Sequence, residues 1–287
     1  MKSKIYALLT SFIGLAVAAC GQAKFVAVNV PASFIGGEVV QNIAYGTHSE
    51  NKMDIYLPAN KADGTPSVVF FHGGRWTDGN KDQYKFVGKT MAQMGYITIV
   101  PSTRSYPEVK FPLFIEDAAL AVKKAHDLLP SYGGNPDNMF LMGHSSGAHV
   151  AAMVATDDKY IQAAGGRIQD IAGFAGLAGP YDFVPEAQDI KNIFSTTQDN
   201  YGRMQVSTFI DGTEAPMLLL HGSNDQQVKI ANLEKLERKI NAEGGAVSTK
   251  IYPDLDHVDL IRDFTWLDVS GVDIPRDVDT FFKANIR

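Results

Sequence analysis

A single cysteine, Cys20, stands in a chain of 287 residues. That scarcity excludes an internal disulfide and a cysteine-based metal site. No H-x-x-x-H pair or acidic cluster offers other ligands, so the sequence calls for no metal and no cofactor. Lys and Arg number 26 against 32 Asp and Glu, a net charge of −6. The basic residues form no stripe or run, which leaves nucleic-acid binding without support. Internal repeats, low-complexity tracts and interdomain linkers are also missing. What remains is a chain that is 45% hydrophobic, enough for one sizeable core and an ordinary size for a single α/β domain.

The first twenty residues are a separate object. Met1-Lys2-Ser3-Lys4 is positively charged, and Ile5 to Ala19 is apolar but short for a comfortable membrane span. The stretch ends Val17-Ala18-Ala19-Cys20, which looks like a bacterial lipoprotein signal with Cys20 as the lipid attachment point. A lone cysteine at that position strengthens the reading; a plain secretory signal is the alternative. Residues 1–19 are thus expected to be a signal peptide and 20–38 a tether and approach segment, with one domain over 39–287. Lipidation would place the protein in the bacterial envelope, tethered to a membrane without a spanning helix. Loss of Lys2 and Lys4 would leave 24 − 32 = −8 for the mature chain.

From residue 39 onward, apolar runs alternate with helical patterns. Val39–Tyr45 and Met53–Pro58 read as a hairpin, the second strand alternating Met53, Ile55 and Leu57 with Asp54 and Tyr56, as a half-exposed strand would. Ser67–His72, Tyr96–Val100, Asn138–Met142, Ile171–Leu177, Pro216–His221 and Val247–Tyr252 read as further strands. The continuous apolarity of several suits a sheet covered on both faces. Helices are predicted over Lys85–Met94, Leu113–Leu129, Ala148–Ala155, Lys229–Ala242 and Val278–Ala284, with Asp182–Ile210 irregular and suited to a lid. The order implies an α/β class with a mostly parallel sheet of about eight strands, flanked by helices, and a minimal lid.

Gly143-His144-Ser145-Ser146-Gly147 lies between a strand and a helix. A G-x-S-x-G in that context is a nucleophile elbow: the tight turn admits only small residues at its ends and presents the serine hydroxyl above the sheet. It also sets the Ser146 N–H at a helix N-terminus, facing developing negative charge. A serine needs a base, and the base a third group to orient it. Beyond such an elbow the acid and then the histidine follow, each past a strand end. Asp225 follows Pro216–His221, and His257 follows Val247–Tyr252. Ser145, Asp225 and His257 are therefore the candidate nucleophile, orienting acid and base. Asp182 is the rival acid, and Asp225 read alone is also a common turn former. His72-Gly73-Gly74-Arg75-Trp76 follows a central strand, where oxyanion donors belong. The N–H groups of Gly74, Arg75 and Ser146 are assigned to that hole. His72, His144 and His149 read as packing or loop-holding residues.

These residues together resemble the α/β-hydrolase superfamily. The likeness is nearest to the esterase/lipase group that includes hormone-sensitive-lipase-like esterases, kynurenine formamidases and bacterial feruloyl esterase-like enzymes. It runs from about Val40 to the C-terminus. It also draws on Phe111-Pro112, Glu116-Asp117-Ala118, Tyr132-Gly133-Gly134-Asn135-Pro136 and His221-Gly222. The resemblance implies the α/β-hydrolase fold and hydrolysis of small acyl or aryl carboxylic esters through an acyl-enzyme. Arg75 departs from it, standing where that group often has a third glycine. Two other readings stay open: an amidase of kynurenine formamidase type, and a catalytically silent surface lipoprotein that uses the fold for binding. Retention of Ser145, Asp225 and His257 together argues against the silent binder.

Overall fold

The computed structural model describes residues 28–30, 36–195, 198–265, 267 and 271–287. The signal-like stretch, Cys20 and most of the segment 20–38 lie outside the described residues.

Eight strands form one sheet: β1 (Val39–Ala44), β2 (Lys52–Tyr56), β3 (Thr65–Phe71), β4 (Ile97–Pro101), β5 (Gly134–His144), β6 (Ile171–Leu177), β7 (Met217–Gly222) and β8 (Val247–Tyr252). Their spatial order is β1-β2-β4-β3-β5-β6-β7-β8. The β1–β2 and β2–β4 pairs are antiparallel and every later pair is parallel. Around the sheet pack α1 (Lys85–Gln93), α2 (Leu113–Leu128), α3 (Ser146–Thr156), α4 (Asp158–Ala163), α5 (Gln188–Phe194), α6 (Ala231–Ala242), α7 (Asp259–Arg262) and α8 (Ile274–Ala284).

The pleat sends alternate residues to opposite faces, and each face is a core. Val69, Phe71, Leu141 and Leu219 pack with residues of α2, α3 and α6. Val68, Phe70, Phe140 and Leu220 pack with residues of α1 and α8. This explains why the central strands are apolar without interruption. Every residue of α3 is buried, so that helix has no solvent-facing side and is mostly apolar; His149 Nε2 and Thr156 Oγ1 find their partners inside, at Met204 O and Ala152 O. On α2, Phe114, Ala118, Ala121, Val122 and Ala125 recur at helical spacing and are buried, while Leu128 on the same face is only half-buried. Asp273 caps α8 by accepting from Arg276 N at 3.0 Å, with Pro275 in the first turn, where its missing N–H costs nothing.

The structure differs from the sequence reading in several places. β2 is not half-exposed: Asp54 is fully buried, and Tyr56 almost so. One oxygen of the Asp54 carboxylate, Oδ1, meets both Lys81 Nζ at 3.0 Å and Asn42 N at 2.8 Å, so the alternating polar residues lie under a second layer rather than in water. The stretch 182–210 is not wholly irregular, since α5 folds within it and two 3₁₀ turns, Gln198–Met204 and Val206–Phe209, follow. β5 begins at Gly134 rather than Asn138. The short helices α4 and α7 have no counterpart among the helices expected from the sequence.

Register brings the strand ends together. Phe71 pairs with Gly143, Gly143 with Gly176, Leu177 with Leu220 and Gly222 with Tyr252. The loops after β3, β5, β6, β7 and β8 therefore all open on one edge of the sheet, as ligand-binding loops of open parallel sheets do.

Candidate active site

Ser145 stands between the last residue of β5 and the first of α3, with φ 55° and ψ −127°. That conformation is costly for a residue with a Cβ and is held by its surroundings. Ser145 N donates to Leu177 O at 2.8 Å, and Ser145 O accepts from Ala148 N at 2.9 Å. The two elbow glycines are there for space. A Cβ on Gly143 would lie 2.4 Å from Gly147 O, and one on Gly147 would lie 2.2 Å from Phe71 O.

Asp225 and His257 arrive on the two neighbouring loops. Asp225 Oδ1 accepts from Gln227 N at 2.8 Å and Val228 N at 2.9 Å. Its Oδ2 faces His257 Nδ1 at 2.7 Å. The turn-former reading and the orienting reading thus hold at once, one oxygen each. Burial opposes ionisation of this carboxylate, but the His257 hydrogen bond, His257 charge and the two backbone donors outweigh it and hold its pKa below the usual value. His257 Nε2 lies 2.8 Å from Ser145 Oγ. The sequence-predicted trio is therefore one continuous hydrogen-bonded chain. Asp182 is elsewhere employed: it accepts from Ser207 Oγ at 2.8 Å and faces Lys235 Nζ at 3.8 Å.

Further groups set the position of His257. Asp256 Oδ1 accepts from Val258 N and Asp259 N, and Asp259 Oδ2 accepts from Asp256 N, a reciprocal cap that starts α7 just past the imidazole. His144 Nε2–H donates to His257 O at 3.0 Å; a carbonyl only accepts, so the tautomer follows. Burial first, and then the nearby His257, push the His144 pKa down to about 3. The only sequence signal for this role of His144 is its place beside the nucleophile in the elbow.

The loop after β3 runs beside Ser145. A Cβ on Gly73 would come within 3.2 Å of Ser145 Cβ. His72 Nδ1–H donates to Gly73 O at 2.9 Å, and its ring stacks on Tyr84. Gly74, Arg75 and Trp76 all have positive φ, at 135°, 53° and 60°. The glycine is required there: a Cβ would overlap Asp78 O. Ser146 is the first residue of α3, where helical N–H groups have no partner within the helix. Arg75 does not fill the site. Its Nη2 reaches Asp189 Oδ2 on α5 at 2.5 Å.

A cavity of about 570 Å³ opens beside Ser145 and Ser146. Trp76, Phe183, Val184 and Ile190 give it an apolar wall, and Gln227, Asn232 and Lys235 line the polar side. That volume suits a small organic molecule.

The model of the BD-FAE family matches residues 53–240, more than half of the chain and from β2 to within α6. The chain belongs to the BD-FAE family. A probable isoprenylcysteine alpha-carbonyl methylesterase of Oryza sativa is 25% identical over 249 residues, spanning 79% of this chain and 60% of the relative. A kynurenine formamidase of Danio rerio is 24% identical over 231 residues, covering 78% and 76% respectively. This BD-FAE chain spans about three fifths of the length of the methylesterases it matches. Its fold is that of esterase B from Lactobacillus rhamnosis, with a TM-score of 0.78 at 18% identity over 98% of this chain and 95% of that one. The matched span contains the β3 loop, the elbow and Asp225; His257 lies beyond it.

Proposed function

We propose that this protein is a serine hydrolase that cleaves carboxylic esters of small acyl or aryl type through an acyl-enzyme. The observation that carries the reading is the unbroken chain from Asp225 Oδ2 through the His257 ring to Ser145 Oγ, at 2.7 and 2.8 Å. The Ser145 oxygen attacks the acyl carbon while His257 Nε2 takes its proton. The carbonyl oxygen becomes an oxyanion, met by the N–H groups of Gly74, Arg75 and Ser146. As the tetrahedral species collapses, the C–O bond to the alcohol breaks and His257 returns the proton to the departing oxygen. Water, deprotonated by the same imidazole, then attacks the acyl-serine; the bond to Ser145 Oγ breaks, His257 returns the proton to that oxygen, and the acid is released. Asp225 keeps the proton on Nδ1 so that Nε2 is free to accept.

Relatives named as a methylesterase and a formamidase support the ester reading and keep amide cleavage as its alternative. A panel of p-nitrophenyl esters graded in acyl length, run beside N-formylkynurenine, separates them. Turnover of short-chain and aryl esters well above that of the formamide is expected; preference for the formamide would replace the ester reading with the amidase one.

We also propose lipid attachment at Cys20 and an envelope location, supported by Lys2 and Lys4, the apolar run to Ala19 and the uniqueness of the cysteine. In cell fractionation, Cys20→Ala should move the protein from the membrane to the soluble fraction. Unchanged membrane association would exclude the anchor.

A further inference from the structure

Two successive residues of the oxyanion loop, Arg75 and Trp76, hold left-handed backbone conformations without being glycine. Such a conformation is unusual for any side chain, and more so for one as bulky as indole. It persists only where the surroundings over-determine it. Part of the restraint is local: Thr77 N and Asp78 N both donate to Gly74 O, and Tyr106 N donates to Trp76 O. The side chains are held from outside the loop, mostly by one segment.

That segment is the strap from Asp182 to Phe194, which passes over the cavity and ends in α5. Phe183 stacks on Trp76 at 5.5 Å and 20°, and Phe194 meets the same indole edge-on at 4.9 Å. Asp189 grips Arg75. The strap is itself fastened to the body at both ends: Asp182 N donates to Asn232 Oδ1 at 3.0 Å, and Ile193 O accepts from Phe111 N at 3.0 Å. His149 supplies a further ring contact to Trp76 from α3, at 5.4 Å.

We propose that Phe183 and Asp189 are positioning residues, which keep the Arg75–Trp76 backbone turned so that the Arg75 amide serves the oxyanion. The inference rests on the esterase reading above. Released from the strap, Arg75 and Trp76 relax toward negative φ, the peptide planes on either side of Arg75 swing, and a donor leaves the hole. The loss falls on the transition state, where the oxygen carries charge, rather than on ground-state binding of a small ester. It also gives the Arg75 departure from glycine a purpose: a glycine would hold the same backbone at no cost but would offer the strap nothing to grip.

The test is steady-state kinetics on p-nitrophenyl acetate, whose acyl group is the smallest of the series, with fluorophosphonate labelling alongside. Asp189→Asn should lower kcat by about threefold to tenfold and Phe183→Ala by about tenfold or more, with KM within about twofold in both. Asp189→Glu and Phe183→Tyr, which keep the carboxylate and the ring, should recover most of the rate. Asp189 is a half-exposed surface residue, so its variant should keep the wild-type urea midpoint. Wild-type kcat in both Asp189→Asn and Phe183→Ala would overturn the proposal, as would a loss confined to KM. A wild-type protein that neither hydrolyses esters nor takes up the fluorophosphonate would instead overturn the esterase reading beneath it.

Discussion

Asp225 and His257, 32 residues apart in sequence, meet at 2.7 Å through one carboxylate oxygen, while the other oxygen is committed to Gln227 N and Val228 N. This division fixes what an amide would do in place of the acid. In Asp225→Asn the backbone donors hold the amide oxygen at the Oδ1 position, and the NH2 group faces His257 Nδ1. The ring must then carry its proton on Nε2, pointing at Ser145, and cannot act as a base. The variant should fold normally and lose about 10³–10⁴ in kcat with little change in KM. Steady-state kinetics on an ester, with circular dichroism to verify folding, checks this. A loss below about tenfold would mean that the Asp225 contact does not set the tautomer.

The elbow stores strain that a glycine would release. At φ 55° and ψ −127°, Ser145→Gly removes the steric cost of the Cβ and all nucleophilic activity together. The variant should be stabilised by about 1 kcal/mol, which for a domain of this size is a rise of about 2–4 °C in Tm. A calorimetric scan decides it. An unchanged or lower Tm would show that the turn is not strained.

Two buried histidines make acid destabilising. Burial lowers the pKa of His144 to about 3 and that of His149 to about 4, while hydrogen bonds to His257 O and Met204 O act weakly the other way. Unfolded, each would titrate near its ordinary value of about 6.5. Between those limits the unfolded chain binds the proton and the folded one does not. Stability should therefore fall as pH drops from about 6.5 toward 4, by up to about 1.4 kcal/mol per unit for each ring. The depressed Asp225 pKa acts only below the usual carboxylate range, so it does not contribute in this window. Urea midpoints at pH 7 and pH 5 measure the slope, and His149→Gln should lower it by the share of one ring; burial also lowers the pKa of His72 and His221, which add to what remains. A flat profile would show that the rings are not held neutral.

The ion pair beneath β2 gives a fourth outcome. Asp54 is fully buried and Lys81 is 5% exposed. Lys81→Met would leave the Asp54 carboxylate with a single backbone donor and should cost about 3–5 kcal/mol in urea denaturation. Adding Asp54→Asn removes the stranded charge while keeping an acceptor for Asn42 N, and should recover most of that loss. A single variant as stable as wild type would show that water reaches the carboxylate.

The same pair shows where reading the chain alone stops. Alternation of Met53, Ile55 and Leu57 with Asp54 and Tyr56 marks a strand but says nothing of what covers its polar face. Lys81, from a 3₁₀ turn 27 residues later, makes that face interior. The parallel strands were legible because a sheet buried on both sides must be apolar throughout. Ser145, Asp225 and His257 were legible as candidates because parallel strands deliver their following loops to one edge in chain order. The contacts that fix the loops to one another were not. His144 on His257 O, Asp189 on Arg75 and the stacking of Phe183 on Trp76 join segments whose spacing follows no period. The helix α5 carries too short an apolar pattern to stand out from the polar stretch around it.

The most direct test of ester hydrolysis by Ser145 is rapid quenching during turnover of p-nitrophenyl acetate, followed by peptide mass mapping. A single acetyl group on the peptide bearing Ser145 is expected, formed in a burst of p-nitrophenol and absent from Ser145→Ala and His257→Ala. Undiminished turnover by Ser145→Ala, with no acylated peptide from the wild type, would contradict it.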